Sequence, residues 1–203
     1  MPATPDLLSL ARAAASKHSL DPALVCAVVE QESAWDTHAI RYEPAFRTRY
    51  VAPLGLPSTE EVARSISWGL MQVMGQVARE HGFTGKFLSA LCDPAAGLDI
   101  GCAVLASKLA AAGAQFAPSR AAVSSVEARD FSPAKNAGRA TPSLLPQAAA
   151  ETQASEQQGS SSAQSGQGVA LDERVVSRAL QLWNGGANPD YAAEVLARLP
   201  HYK

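Results

Sequence analysis

The chain has 203 residues and a net charge of −2, with 47% hydrophobic and 18% charged residues. That length suits one domain, or one domain with a tail, and a core can form without disulfides or metal. The near-neutral balance gives no overall field to attract nucleic acid or an anionic lipid surface, no apolar run approaches a membrane span, and three cysteines cannot form a fully paired framework.

Cys92 and Cys102 could pair, but packing as free thiols in a helical core is the preferred reading. Met1 to Asp6 lacks a basic stretch followed by an apolar core, so no standard signal peptide is visible. A protein acting outside the cytoplasm would need another route, such as phage lysis, packaging in a particle or a dedicated secretion machine.

Thr4-Pro5-Asp6 reads as a helix start, with Thr4 as the cap and Pro5 at the first position. Leu7, Leu10, Ala11 and Ala14 then share one face. Asp21-Pro22 repeats the start signal. Leu24, Val25, Val28 and Val29 give this second helix a broad apolar side that should lie deep in the core. It runs into Glu30-Gln31-Glu32-Ser33-Ala34-Trp35. A carboxylate in apolar surroundings is expensive to ionise, and the negative end of a helix dipole adds to that penalty. Glu32 should therefore have a raised pKa, as a general acid near neutral pH requires. Ser33 could orient the carboxyl, and Trp35 offers an apolar face of the kind sugars stack on. Glu30 lies on a different helix face and is expected to be solvated.

Ala39 to Pro57 reads as an irregular surface segment over a polar cleft, with Arg41, Arg47, Arg49, Tyr42 and Tyr50. Ser58 with Glu61 has the spacing of a capping box, so a short helix should follow. Ser67-Trp68-Gly69-Leu70-Met71-Gln72 breaks it. Gly69 allows close backbone approach, and Gln72 carries both donors and an acceptor suited to sugar hydroxyls and N-acetyl groups. A helix resumes from Val73 to His81 and stops at Gly82. Asp93-Pro94 starts another, carried by Leu98, Cys102, Leu105 and Leu109 to Gly113.

Gln115 to Gly168 is then Ala, Ser, Gln, Gly and Pro with few large apolar residues, a composition that cannot offset its ordering entropy. It is read as a disordered insertion. Order should return at Leu171, with Val175, Val176, Ala179, Leu180 and Leu182 on one helical face. Trp183-Asn184-Gly185-Gly186 reads as a turn, and Tyr191 to Leu199 as a final helix stopped by Pro200. No segment shows strand alternation. The expected organisation is an all-α domain formed by residues 1–114 and 170–203, interrupted by an insertion at 115–169.

Glu32-Ser33, then Gly69-Leu70-Met71-Gln72, then a helix headed by Asp93-Pro94, then Asn184-Gly185-Gly186 and Tyr191-x-x-x-Val195, follow one another in an order that resembles the soluble lytic transglycosylases. That family is similar in fold to goose-type lysozyme. The resemblance covers about Leu7 to Lys203, apart from the insertion and the Arg41–Pro57 segment. It implies a lysozyme-like domain acting on peptidoglycan at the bacterial cell wall or periplasm. It further implies cleavage of the β-1,4 bond between N-acetylmuramic acid and N-acetylglucosamine, with closure of a 1,6-anhydro ring. Glu32 would be the single acid and base. Ser33, the Met71 backbone and Gln72 would hold the glutamate and the sugars, and Asn184 and Tyr191 would complete the cleft.

One position departs from the family, which usually has tyrosine before the Asn-x-Gly turn, with its hydroxyl near the catalytic carboxyl. Here it is Trp183, whose indole donates a hydrogen bond but accepts none. Trp183 could still form a cleft wall, while Tyr191 takes more of the contact with the acid.

A hydrolase would need a second carboxylate to activate water, at roughly 6.5–9.5 Å for inversion. Glu43 is the candidate, although pairing with Arg41, Arg47 or Arg49 is the favoured reading. The alternatives are thus a muramidase using Glu32 and Glu43, and a non-catalytic wall-binding component of a phage particle or secretion apparatus. No metal or other cofactor is expected, because His18, His38, His81 and His201 lack ligand spacing and no nucleotide loop is present. A monomer is expected.

Overall fold

The structure is a computed structural model and describes residues 3–116 and 172–203. Both predicted starts form as read. Helix α1 (Pro5–Lys17) is capped by Thr4, whose Oγ1 accepts from the Leu7 amide at 3.3 Å. Helix α2 (Pro22–Ser33) is capped by Asp21, whose Oδ1 accepts from the Ala23 amide at 2.8 Å. Ala11 and Ala15 are the fully buried positions of α1, whereas Leu10 is 39% exposed and lies outside the core. In α2 every residue from Ala23 to Val29 is buried. A helix apolar on all sides belongs in the middle of the fold, and α2 is packed against α1 and the C-terminal helices.

Between α2 and the next long helix, the chain makes features that the sequence pattern did not reveal. Strands β1 (Ile40–Tyr42), β2 (Ile66–Trp68) and β3 (Val73–Met74) form an antiparallel sheet in that order. Ile40 faces Trp68 and Arg41 faces Ser67, while Ser67 also faces Met74 on the other side. All three β1 residues are exposed and β3 has only two residues, so there was no alternation to read. A short helix α3 (Pro44–Phe46), a π-turn (Arg47–Val51) and a 3-10 turn (Ala52–Leu54) cross from β1 to α4 (Ser58–Arg64). The capping box expected at Ser58 does not form. Pro57 occupies the cap position, and Glu61 is drawn instead into an ion pair with Arg47.

Helix α5 is shorter than expected (Gly75–Glu80), because Val73 and Met74 are taken by the sheet. Helix α6 (Pro94–Phe116) starts as predicted but carries Gln115 and Phe116, which had been assigned to the insertion. The rest of that segment, through Leu171, lies outside the described residues. Helix α6 is long and apolar enough to cross a membrane by length and composition, contrary to the expectation that no run approaches a span. Its many alanines and glycines dilute the large apolar residues along the run. Within the fold, Leu98, Cys102, Val104 and Leu105 are core residues, and α6 packs on α1 and on the helix that starts at Glu173.

Gly101 of α6 lets the turn between β2 and β3 approach. A Cβ there would lie 2.3 Å from the Met71 sulfur. Helices α7 (Glu173–Trp183) and α8 (Tyr191–Leu196), with a last 3-10 turn (Leu199–His201), close the core over α2. Cys26, Cys92 and Cys102 are all free thiols. Burial pushes the Cys26 thiol up to about 11 and Cys102 up to about 12, which keeps both protonated and inert.

Candidate active site

Glu32 is the penultimate residue of α2, three positions after the buried run that ends at Val29. The helix stops abruptly. Ala34 and Trp35 both take positive φ, 48° and 67°, a conformation that side chains with a Cβ adopt only under constraint. The constraint is visible. Ser33 Oγ donates to the Leu70 carbonyl at 2.9 Å and to the Val29 carbonyl at 3.2 Å. Trp35 is 3% exposed, and its Nε1 donates to the Tyr202 hydroxyl at 3.0 Å.

Two expectations are corrected by this turn. Ser33 does not touch the carboxyl. It fastens the end of α2 to the Gly69–Gln72 turn. Trp35 is a core residue and presents no face to a sugar. Glu30 is not simply solvated either, because Tyr202 donates to its Oε2 at 2.8 Å.

The carboxyl of Glu32 meets residues from the far end of the chain. Trp183 is the last residue of α7, and its Nε1 donates to Glu32 Oε1 at 2.8 Å. Tyr191 begins α8, and its hydroxyl donates to the same Oε1 at 2.5 Å. Trp183 therefore reaches the acid, which its departure from the family pattern had left open, and Tyr191 joins it. Burial pushes the Glu32 carboxyl above its ordinary value of 4.5, against the two donated hydrogen bonds and the nearby Arg41 charge, which favour the ionised form. Desolvation outweighs these. Burial and the neighbouring Glu32 push the Tyr191 hydroxyl far above its usual range, so it remains a donor.

Arg41 lies on the exposed strand β1, and its Nε binds Glu43 Oε1 at 2.5 Å. Glu43 is thus held in an ion pair, the reading favoured from sequence. The influence of Arg41 on Glu32 carries no signal in the sequence, since it depends on where pairing with β2 places β1.

Gln72 has φ 46° and its side chain is committed within the protein. Nε2 donates to the carbonyls of Ala39 and Gly69, both at 2.9 Å, and Oε1 accepts from Ser67 Oγ at 2.9 Å. It pins β1 to the β2–β3 turn. Gln72→Ala strips both carbonyls of a donor at once, and at about 1 kcal/mol or more for each lost bond it should destabilise the fold by roughly 2–3 kcal/mol. Chemical denaturation measures this, and an unchanged midpoint would contradict the pinning.

The Met71 side chain is buried against Gly101, so only its backbone could meet a ligand. Asn184 Nδ2 donates to the Asn188 carbonyl at 3.0 Å and closes the turn that contains Gly185 and Gly186, both at positive φ. Asn188 and Gln31 in turn donate to Glu194 Oε2, at 3.2 and 2.7 Å. This joins the turn to α2. Glu194, Gln31 and Tyr202 carried no motif signal in the sequence. Only the helical spacing of Tyr191 and Glu194 hinted that they share a face.

A family model described as the transglycosylase SLT domain matches residues 9–129, more than half of the chain, and the protein belongs to that family. The family is lysozyme-like and its members act on peptidoglycan, which makes the cell wall the place of action. The matched span contains Glu32, Ser33, Met71 and Gln72 but stops before Trp183, Asn184 and Tyr191. No curated protein and no solved structure matches the chain.

Proposed function

We propose that the protein is a peptidoglycan lytic transglycosylase, cleaving the bond between N-acetylmuramic acid and N-acetylglucosamine with Glu32 as the sole acid and base. The supporting observation is the desolvated Glu32 carboxyl with two donors on one oxygen, while Glu43 is engaged by Arg41.

In the first step neutral Glu32 gives its proton to the glycosidic oxygen. The C1–O bond breaks, and its electron pair leaves with the N-acetylglucosamine. In the second step the Glu32 carboxylate takes the proton of the muramic C6 hydroxyl. O6 bonds to C1, a 1,6-anhydro ring closes, and Glu32 is neutral again. No water is consumed. Arg41 and the two donors ease the interval in which Glu32 is charged. Trp183 serves both as wall and as donor, Asn184 shapes the turn beyond it, the Met71 backbone is available to the sugar, and Ser33 and Gln72 hold the loops around the acid.

The test is the mass pattern of muropeptides after digestion of purified peptidoglycan. Anhydro ends, lighter by one water than reducing ends, are expected, and Glu43→Gln should still produce them. Reducing ends from the native protein, lost in Glu43→Gln, would replace this reading with a muramidase using Glu32 and Glu43.

A further inference from the structure

We infer that Trp183 and Tyr191 place the transferable proton of Glu32 on Oε2, making Trp183 a positioning residue for the acid. The inference rests on the proposed role of Glu32, but its physical content is the location of one hydrogen.

A carboxyl oxygen has two lone pairs in the plane of the group. At Oε1 both are occupied, by the Trp183 indole at 2.8 Å and the Tyr191 hydroxyl at 2.5 Å. A proton on Oε1 would have to displace one of these donors. The hydroxyl of Tyr191 could accept only by turning its own hydrogen away from Glu32, its acceptor among the described residues, and the indole cannot accept at all, because it has no lone pair to offer. Oε2 has no hydrogen-bond partner among the described residues, and Glu32 is only half-buried, so Oε2 is the oxygen left for a substrate to meet. Oε1 is then the carbonyl-like oxygen of the neutral acid, and Oε2 carries the hydrogen on the side a substrate can reach.

The identity of residue 183 matters for this reason. A tyrosine there could accept the acid's proton as well as donate, offering it a resting place inside the protein. Tryptophan removes that option at position 183, and keeps one in-plane site of Oε1 filled by a group that can only donate. Its position is fixed by helix α7, whose Val176, Ala179 and Leu180 are buried in the core.

Infrared difference spectra of the full chain, taken across the ionisation of Glu32, test this directly. The Glu32→Gln variant identifies the band of the protonated carboxyl. A carbonyl that accepts hydrogen bonds absorbs at lower wavenumber than a free one. Trp183→Phe and Tyr191→Phe should each move the band to higher wavenumber, and the double variant further still. If the proton sat on Oε1, the carbonyl would be Oε2 and neither variant would move the band, which would overturn the inference. Tyr191→Phe removes a single oxygen and provides the answer should Trp183→Phe fail to fold. Turnover in Trp183→Phe is expected to fall roughly tenfold, as for loss of a hydrogen bond to a charged group. A band that moves as described in a protein with no lytic activity would sink the proposed function and leave the proton assignment standing.

Discussion

Glu32→Gln is expected to reduce peptidoglycan turnover at least about a thousandfold, the range associated with loss of a general acid and base. Glutamine is nearly isosteric, and its amide oxygen can accept from Trp183 and Tyr191 as Oε1 does. The fold and the affinity for glycan strands should therefore survive. Sedimentation with insoluble peptidoglycan measures binding separately from release of soluble muropeptides. Unchanged release would remove Glu32 from the chemistry. Undetectable release by the native protein, with binding intact, would favour a wall-binding component instead.

The same variant should change how stability depends on pH. The folded-state pKa of Glu32 is raised above its ordinary value of 4.5. Between those two values the folded protein holds a proton that the unfolded chain has released. Stability from this group is thus greatest below about pH 4.5 and is lost as pH rises through the folded pKa. Glu32→Gln has nothing to ionise, so its stability curve should lack this decline. Denaturation midpoints of the two proteins across that window should diverge as the pH rises, with the variant the more stable. A variant that loses ground toward neutral pH would contradict the burial of the carboxylate.

Gly69→Ala is expected to destabilise the domain by roughly 2–4 kcal/mol, lowering the melting temperature by roughly 5–15 °C. Two effects combine. Gly69 has φ 65°, and a Cβ there would lie 2.4 Å from the Leu91 carbonyl oxygen, a backbone atom with little room to give. Gly82 is the control. Its φ is 87°, but nothing lies within 4 Å of its missing Cβ, so Gly82→Ala should cost only about 1 kcal/mol. Equal losses at the two positions would show that the close approach to Leu91 is unimportant. Gly69→Ala should also reduce turnover, because Gly69 donates to the Ala39 carbonyl at 2.8 Å and accepts from Gln72, contacts that seat β1.

The helices were legible where capping chemistry and apolar spacing act locally. Thr4-Pro5, Asp21-Pro22 and Asp93-Pro94 each begin a helix as read. The buried run of α2 made Glu32 stand out. What local rules could not convey was direction after a helix ends. Trp35 looked like a sugar platform because it follows the acid, but two left-handed residues turn it into the core. Gln72 looked like a ligand because of its chemistry, while its partners come from Ala39 and Ser67, brought near only by strand pairing. The indole of Trp183 was judged by what it lacks relative to tyrosine. Its ability to donate, already evident from its chemistry, is what the folded site employs. Ser58 and Glu61 had capping spacing, yet a longer-range partner, Arg47, won Glu61.

The separation along the chain between Glu32 and its two donors, 151 and 159 residues, also sets a schedule. At roughly 5–20 residues per second of synthesis, Trp183 emerges about 8–30 s after Glu32. Throughout that interval α1 and α2 can pair, and the sheet can form, around a carboxyl that nothing yet orients. The candidate acid and the two groups that donate to it are made at different times. The site around Glu32 is complete only with the arrival of α7 and α8, not with the helix that bears the carboxyl.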